Sequence, residues 1–260
     1  MSDRKARIIA IANEKGGVGK TATAVNLSAA LAKMGKKTLV VDTDPQHNAT
    51  MGFGVYPKNG MITSYDLITN SKKTDAKAAV LTTNWPNLFL IPGHVDLTSA
   101  DIDLVDKIAR ETRLQKALTP IADDYDFIII DTPPTLSLLT VNVFVFAKEI
   151  LVPCQTQPYA VRALDELFDT IEMVKEEINP ELSVIGILAT FYDKRTRISK
   201  DVMEELKAEK RFRHMVFKTA IRANSAIPES VKANTPIVYH KTRSYGALDY
   251  NKLAEELLGL

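Results

Sequence analysis

Cysteine is nearly absent from the sequence, with Cys154 the single example in 260 residues. One thiol per chain excludes an intramolecular disulfide framework, which needs at least two. It also excludes a zinc or iron–sulfur site that draws all of its ligands from the cysteines of one chain. Disulfide-stabilised and cysteine-ligated classes of protein are therefore set aside.

Long apolar runs are missing as well. No stretch approaches the ~20 uninterrupted apolar residues that a membrane span needs. The first apolar run, residues 8–12, is too short for the apolar region of a signal peptide. A net charge of +1, from 33 basic and 32 acidic residues, argues against a protein that coats nucleic acid through charge alone. We therefore expect a soluble cytoplasmic protein with no membrane partner.

The chain does contain a regular alternation of short β-branched runs and longer amphipathic runs. It predicts strands at residues 7–13, 38–44, 88–92, 127–131, 150–155, 183–191 and 215–221. It predicts helices at residues 21–34, 99–118, 163–178, 199–210 and 245–258. Strands that are apolar at consecutive positions indicate a parallel sheet covered on both faces. The pattern thus predicts one α/β domain over residues 1–260, a doubly wound, mostly parallel sheet flanked by helices.

The most specific motif is the phosphate loop, residues 13–21, which reads Asn-Glu-Lys-Gly-Gly-Val-Gly-Lys-Thr between a predicted strand and a predicted helix. Its glycines allow a tight turn that points backbone N–H groups at phosphate oxygens, and the helix adds its positive dipole end. A lysine at this place reaches the β- and γ-phosphates, and the following hydroxyl ligates Mg²⁺. The predicted ATP-binding residues are Lys15, Gly16, Gly17, Val18, Gly19, Lys20, Thr21 and Ala22.

The loop departs from the usual G-x-x-x-x-G-K-[ST] pattern at its start. Glu14 stands where the first glycine belongs, and a second lysine, Lys15, follows it. Lys15 is either an exposed, solvated charge or a cation aimed at phosphates across a dimer interface, in the manner of an arginine finger.

Three motifs in order now resemble those of the ParA/MinD ATPases. Residues 15–21 are similar to the family's deviant Walker A motif, with Lys15 as its signature lysine, and residues 40–46 are similar to its first switch segment. Residues 127–134 look like its Walker B and second switch. The second half of the chain matches more loosely, at residues 192–196 and 221–237. The likeness is greatest to Soj-type ParA partition ATPases that lack an amino-terminal helix-turn-helix domain, because the first strand begins almost at once. It implies a P-loop NTPase fold and Mg²⁺-dependent ATP hydrolysis.

Three aspartates lie at the ends of predicted strands, at the carboxyl edge where ligands of α/β sheets bind. Asp131 ends an apolar strand beside the phosphate loop and is placed to hold Mg²⁺ together with Thr21. Asp42 and Asp44 are two residues apart on one predicted strand and should share a face. The resemblance assigns Asp44 to the attacking water and Asp42 to support of the metal site. It makes Lys15, Lys20 and Asp44 the catalytic group.

The family resemblance also implies partners. The residue matching Lys15 enters the partner subunit's nucleotide site, so that two ATP molecules are enclosed in a homodimer. A ParB-type or cargo-adaptor protein would stimulate hydrolysis. Residues 193–243 carry 13 basic and 6 acidic side chains, so a dimer could present a cationic surface to DNA phosphates, bound to the nucleoid without base reading. The DNA-contact candidates are Lys194, Arg195, Arg197, Arg211, Arg213, Lys218 and Arg222; a solvated face is the alternative for each.

Several functions compete for such an ATPase. The leading hypothesis is DNA partitioning, for a plasmid or a chromosome, and the second is the positioning of a non-DNA cargo. A MinD-like membrane switch would need a basic amphipathic end, whereas residues 249–260 carry three acids and one lysine. A metabolic P-loop enzyme would not call for Lys15. Residues 221–229 read Ile-Arg-Ala-Asn-Ser-Ala-Ile-Pro-Glu, which departs from the Ile-Pro-Arg-Asn-x-Arg loop of chromosomal ParA proteins.

Overall fold

A seven-stranded sheet runs through the protein, in the order β3-β4-β2-β5-β1-β6-β7. The structure is a computed structural model that describes residues 5–70 and 74–260. All strand pairs are parallel except β3 with β4. The strands are β1 (Arg7–Ile11), β2 (Thr38–Asp42), β3 (Leu81–Thr82), β4 (Leu88–Ile91), β5 (Phe127–Asp131), β6 (Glu149–Gln155) and β7 (Ser183–Thr190).

Helices cover both faces of this sheet, as the doubly wound prediction requires. They are α1 (Lys20–Lys33), α2 (Asn48–Gly52), α3 (Ser64–Thr69), α4 (Ala76–Ala79), α5 (Ala100–Asp103), α6 (Arg113–Ala122), α7 (Leu138–Phe146), α8 (Arg162–Glu177), α9 (Arg197–Ala208), α10 (Ala226–Lys232), α11 (Ile237–His240) and α12 (Tyr245–Leu258). Two short 3₁₀ segments, Val95–Ser99 and Arg110–Thr112, lie on either side of α5.

Two apolar layers result, one on each face of the sheet. Alternate residues of β1 divide between them: Ile8 and Ala10 join one layer, and Ile9 and Ile11 join the other. This division explains why the central strands are apolar at every position, because neither face meets water. The predicted fold class is therefore confirmed. Among the described residues, no helix has both the length and the apolar character needed to cross a bilayer.

The predicted helix at 99–118 is wrong, because the chain there breaks into separate turns. α5 ends at Asp103, Ala109 adopts a left-handed φ of 53°, and α6 begins only at Arg113. The side chain of Asn142 on α7 accepts hydrogen bonds from the backbone N–H groups of Arg113 and Leu114 at 3.0 and 3.2 Å. A residue remote in sequence thus supplies the start of α6.

The predicted strand at 215–221 is wrong too. The structure records only isolated bridges, Ile187 with Val216 and Tyr192 with Arg222. The segment runs along the edge of β7 and exchanges hydrogen bonds with it through Met215 and Phe217, but it does not form a continuous ladder. Its apolar residues are buried by this contact rather than by membership of the sheet.

Candidate active site at the carboxyl edge of the sheet

The phosphate loop lies where the structure brings β1, β5 and β6 together, between the end of β1 and the start of α1. Gly17 and Gly19 have φ values of 75° and 92°, which a residue with a Cβ rarely adopts. Asn13 fixes the start of the loop: its Nδ2 donates to the Pro153 carbonyl at 2.7 Å, and its Oδ1 accepts from the N–H of Lys15 at 2.9 Å. Hydrogen bonds within the chain thus hold the first residues of the turn in place.

Lys20 opens α1 and is only 6% exposed. Its Nζ donates to the carbonyl of Lys15 at 3.2 Å, which holds the ammonium group over the loop. Burial lowers the pKa of Lys20, and the nearby charges of Asp131 and Asp44 oppose that shift. The ammonium group is therefore desolvated and poised to accept an anionic partner.

Asp131 ends β5 with no exposed surface, and neither of its carboxylate oxygens has a hydrogen-bond partner among the described residues. Burial, and next the charge of Asp42, raise its pKa well above the ordinary value, and the nearby Thr21 hydroxyl opposes that shift. A buried carboxylate left without donors is costly unless a cation joins it. Oxygen donors of this kind are the ligands that Mg²⁺ prefers, so the site fits that ion. In the described part of the chain, no cluster of three or more His, Cys, Asp or Glu side chains offers an alternative metal site.

Asp42 ends β2 directly beside Asp131, since the two residues pair across the strands. One of its oxygens, Oδ2, accepts from the N–H and the hydroxyl of Thr50 at 2.8 and 2.6 Å. The other, Oδ1, accepts from the N–H of Asp44 at 3.2 Å. Burial raises the pKa of Asp42 to about 6. Its carboxylate is thus bonded to the protein itself, and its support of a metal site stays a prediction.

Asp44 lies in the loop after β2, so it does not share a strand face with Asp42 as the sequence predicted. β2 ends at Asp42, and Thr43 is still held beside β5, because its N–H and its hydroxyl both donate to the Asp131 carbonyl. Asp44 is 7% exposed, and its Oδ1 accepts from the N–H of Gln46 at 2.9 Å, which closes an Asx turn. The structure brings Asp44 to the same edge as Lys20 and Asp131, by a loop rather than by the pleat of a strand.

Lys15 is half-buried on the loop, and no ion pair joins it to an acid in the described ranges. Gly16 and Gly17 beside it are exposed, whereas Val18 is buried and its carbonyl accepts from the Thr190 hydroxyl at 2.8 Å. The loop is therefore anchored at its centre to β7, and Lys15 is left available to a further anion.

An apolar pocket of about 160 Å³ adjoins the loop, and sequence reasoning missed it. Its lining includes Gly19 of the loop, Ala22 of α1, Phe191 after β7, and Asn224 and Pro228 from the segment before and within α10. The predicted loose match at residues 221–237 falls on this wall. The one usable signal was that match, since the segment meets α1 only through the tertiary fold.

Four of the seven basic candidates pair with acids, and two of these four, Arg211 and Arg222, are half-buried. Arg211 donates to Asp169 at 2.8 Å and also pairs with Asp165 and Glu172 on α8. Arg222 makes a two-pronged pair with the buried Asp249 and lies 4.0 Å from the Tyr245 ring centroid. Their charges are largely satisfied within the fold.

The other five candidates are exposed, namely Lys194, Arg195, Arg197, Arg213 and Lys218. Arg195 pairs with Asp193 at 2.8 Å and Arg197 with Asp201 at 3.6 Å, both in contact with solvent. Lys194 and Arg195 share with Arg222 the wall of a cleft of about 310 Å³. The structure thus brings three candidates to one cleft, whereas Arg211, which follows α9, lies elsewhere against the acids of α8.

Comparison with known proteins agrees with this geometry. A family model described as AAA domain matches residues 6–184. The chain is 41% identical over 251 residues to the sporulation initiation inhibitor protein Soj of Bacillus subtilis, covering 96% of this chain and 98% of that protein. It is 40% identical over 252 residues to the chromosome partitioning protein ParA of Myxococcus xanthus, with 97% and 88% covered.

One solved structure with a similar fold contains a bound nucleotide analogue and a metal ion. It is described as cobyrinic acid a,c-diamide synthase from Mycobacterium smegmatis with bound ATP analogue and magnesium, and it matches with a TM-score of 0.86 and 32% identity over 97% of this chain and 94% of that one. The two ligands are those that the phosphate loop and the unpartnered Asp131 carboxylate call for, so the chain is an ATPase with ATP and Mg²⁺ as its cofactors. By its loop, its relatives and its sheet, the chain belongs to the ParA/MinD family of partition ATPases.

Proposed function

We propose that this chain is a ParA-type switch for DNA partitioning. ATP binding forms a homodimer that encloses two nucleotides, the dimer binds DNA without base reading, and a ParB-type partner triggers hydrolysis and release. The observation that carries the proposal is Lys15, a cation on the phosphate loop with no acidic partner in the part of the chain that the structure describes. A relative named for chromosome partitioning supports the biological role.

Lys15 acts on the partner subunit's nucleotide. A cation supplied in trans makes the stability of the dimer depend on the charge of the γ-phosphate, because the loss of that phosphate removes the attraction. Lys20 meanwhile holds the phosphates within its own subunit. Lys20 thus binds the nucleotide of its own subunit, and Lys15 makes dimer formation depend on whether the partner's nucleotide carries a γ-phosphate.

Asp44, Thr21 and Asp131 complete the reaction centre. Thr21 and Asp131 hold Mg²⁺, which when bound neutralises charge on the phosphates. Asp44 orients the attacking water toward the γ-phosphate, as its place at the edge of the site and its fixed Asx turn allow. Asp42 stands behind Asp131 and keeps the neighbouring backbone in place. The base of the nucleotide occupies the apolar pocket between Ala22 and Pro228.

The cleft that contains Lys194, Arg195 and Arg222 is the proposed contact with DNA phosphates. Two copies of it in one dimer would double the number of phosphate contacts without reading base edges. ATP-dependent retention of DNA that falls with rising salt is the expected behaviour, and salt-insensitive retention or none would contradict this part of the proposal.

Light scattering tests the central claim. The wild type should be a monomer with ADP and should shift toward a dimer with ATP. Asp44→Ala should keep ATP and accumulate a stable dimer, because it binds but does not hydrolyse. Lys15→Ala should bind ATP yet remain a monomer. An Asp44→Ala protein that hydrolyses ATP at the wild-type rate would show that the role given to Asp44 is wrong.

A second candidate function is the positioning of a non-DNA cargo by the same dimer. Arg222, at the position of the family's DNA-binding loop, is engaged by Asp249 rather than fully offered to a ligand. If the ATP-bound dimer forms but retains no DNA at low salt, this second function is favoured.

A further inference from the structure

Thr50 lies on α2, six residues after Asp44, and has no exposed surface. Its backbone N–H and its hydroxyl both donate to Oδ2 of Asp42, at 2.8 and 2.6 Å. Two donors from one residue on one oxygen leave the carboxylate little freedom to rotate. The short helix α2 is thus tied back to the end of β2.

The same hydroxyl is fixed from a second side. Its oxygen accepts from the N–H of Gly93, which follows β4, at 2.9 Å. Since a hydroxyl has a single proton, the proton of Thr50 is committed to Asp42 and a lone pair is committed to Gly93. Three chain segments, the ends of β2 and β4 and the helix α2, therefore meet at this one buried oxygen.

The Asp42 carboxylate has no room to move away. A Cβ built on Gly93 would come within 2.9 Å of its Cγ, so the backbone of residue 93 already touches it. The second carboxylate oxygen of Asp42, Oδ1, accepts from the N–H of Asp44 at 3.2 Å. The backbone carbonyl of Asp42 accepts from the Ser64 hydroxyl at 2.5 Å. The hydrogen bond to Oδ1 therefore fixes the Asp44 backbone relative to the Asp42 carboxylate.

We propose that Thr50 is a positioning residue for ATP hydrolysis: it clamps Asp42, and Asp42 sets the backbone from which the Asp44 carboxylate projects. This inference rests on the proposed role of Asp44 at the attacking water. Thr50 touches neither nucleotide nor metal. It acts through the placement of Asp44, and misplacement of a reacting group by about 1 Å costs ~100-fold in rate.

The test compares Thr50→Val, which keeps the shape and removes the hydroxyl, with Thr50→Ser, which keeps the hydroxyl. Thr50→Val should lower kcat by at least about tenfold while KM for ATP changes by less than about twofold, since the phosphate loop is untouched. Thr50→Ser should restore kcat to within about threefold of the wild type. Thr50→Ala serves as a second hydroxyl-free variant if Thr50→Val does not fold.

Thr69→Val is the matched control. Thr69 is a buried threonine whose hydroxyl donates to the Tyr65 carbonyl within α3, away from Asp42. It should keep the wild-type kcat. A wild-type kcat in Thr50→Val or Thr50→Ala would overturn the inference, and so would a Thr50→Ser protein as slow as Thr50→Val. A drop in kcat matched by an equal loss of affinity for a non-hydrolysable ATP analogue would also overturn it, because that pattern indicates a structural role.

Asp44→Ala is measured in parallel to separate the two claims. If Asp44→Ala is inactive and Thr50→Val is fully active, the inference fails and the proposed function stands. If Asp44→Ala hydrolyses ATP at the wild-type rate, the role given to Asp44 fails and this inference fails with it.

Discussion

Asp42 and Asp131 are two buried carboxyl groups at adjacent strand ends, and they differ in the number of hydrogen bonds that they accept. Asp42 receives three donated hydrogen bonds from the protein, whereas both oxygens of Asp131 receive none among the described residues. The difference assigns the two groups different chemistry. The Asp42 carboxylate holds the surrounding chain in place, and the Asp131 carboxylate is the one that can bind a cation.

This arrangement predicts an unusual pH dependence of stability. The pKa of Asp42 is raised to about 6 in the folded protein, from 3.8, so the native state holds this proton more tightly than the unfolded chain does. The contribution of Asp42 to the free energy of unfolding is therefore fully present below about pH 3.8 and decreases as pH rises to about 6. The total change is about 3 kcal/mol, and the raised pKa of Asp131 acts in the same direction.

Urea unfolding of the nucleotide-free wild type and of Asp42→Asn between pH 4 and 7 measures this contribution of Asp42 to the free energy of unfolding. Titrating groups remote from Asp42 cancel in the difference between the two proteins, which should shift by about 3 kcal/mol in favour of the variant as pH rises. The loss of the Asp42 charge also lowers the pKa of Asp131, which adds to the shift in the same direction. A difference that does not vary with pH would show that Asp42 titrates normally.

At the scale of elements, the sequence predicted the central strands and the first and last long helices well. β5 and α12 have the predicted bounds, because a continuous apolar run and a clear amphipathic period are local signals. The break in residues 99–118 was missed, since Asn142 on a distant helix supplies the cap of α6. Asp131 was correctly placed by its strand. Asp44 was misplaced because a loop, not a pleat, carries it to the site.

The contact between β7 and the segment after α9 gives a prediction about packing. A Cβ at Gly186 would overlap the ring of Phe217, so Gly186→Ala should lower the free energy of unfolding by about 1–3 kcal/mol. Denaturant titration measures the change. The double variant Gly186→Ala with Phe217→Ala is the control, because it should lose less than the two single changes together once the clash is removed. Strict additivity would mean that the two residues do not touch.

At the scale of the whole molecule, the net charge of +1 combines a basic region, residues 193–243, with an acidic remainder. The structure divides that region further. Arg211 is bound to acids of α8 and lies over the Phe168 ring at 5.4 Å, whereas Lys194 and Arg195 face a solvent-accessible cleft. A basic stretch in sequence is therefore not one surface in space.

The division predicts two different mutational outcomes. If the cleft contacts DNA phosphates, the double change Lys194→Ala with Arg195→Ala removes two contacts from each of the two clefts of a dimer. It should make the plot of log affinity against log salt shallower by about 3.6, at ~0.9 for each phosphate contact. Arg211→Ala should leave that slope unchanged and lower the free energy of unfolding by about 1 kcal/mol. Filter binding with ATP across a salt series and urea unfolding separate the two effects. Equal slopes for the wild type, the double variant and Arg211→Ala would show that the cleft does not contact DNA phosphates.

The two ends of the fold meet far from this chemistry. Arg7, the first residue of β1, donates to the Leu257 carbonyl near the end of α12 at 2.7 Å and pairs with Glu149 at the start of β6. These atoms lie at the amino edge of the parallel strands, whereas the nucleotide loop follows their carboxyl ends. A fluorescent label attached beside Arg7 or Leu257 would therefore lie on the side away from the ATP site.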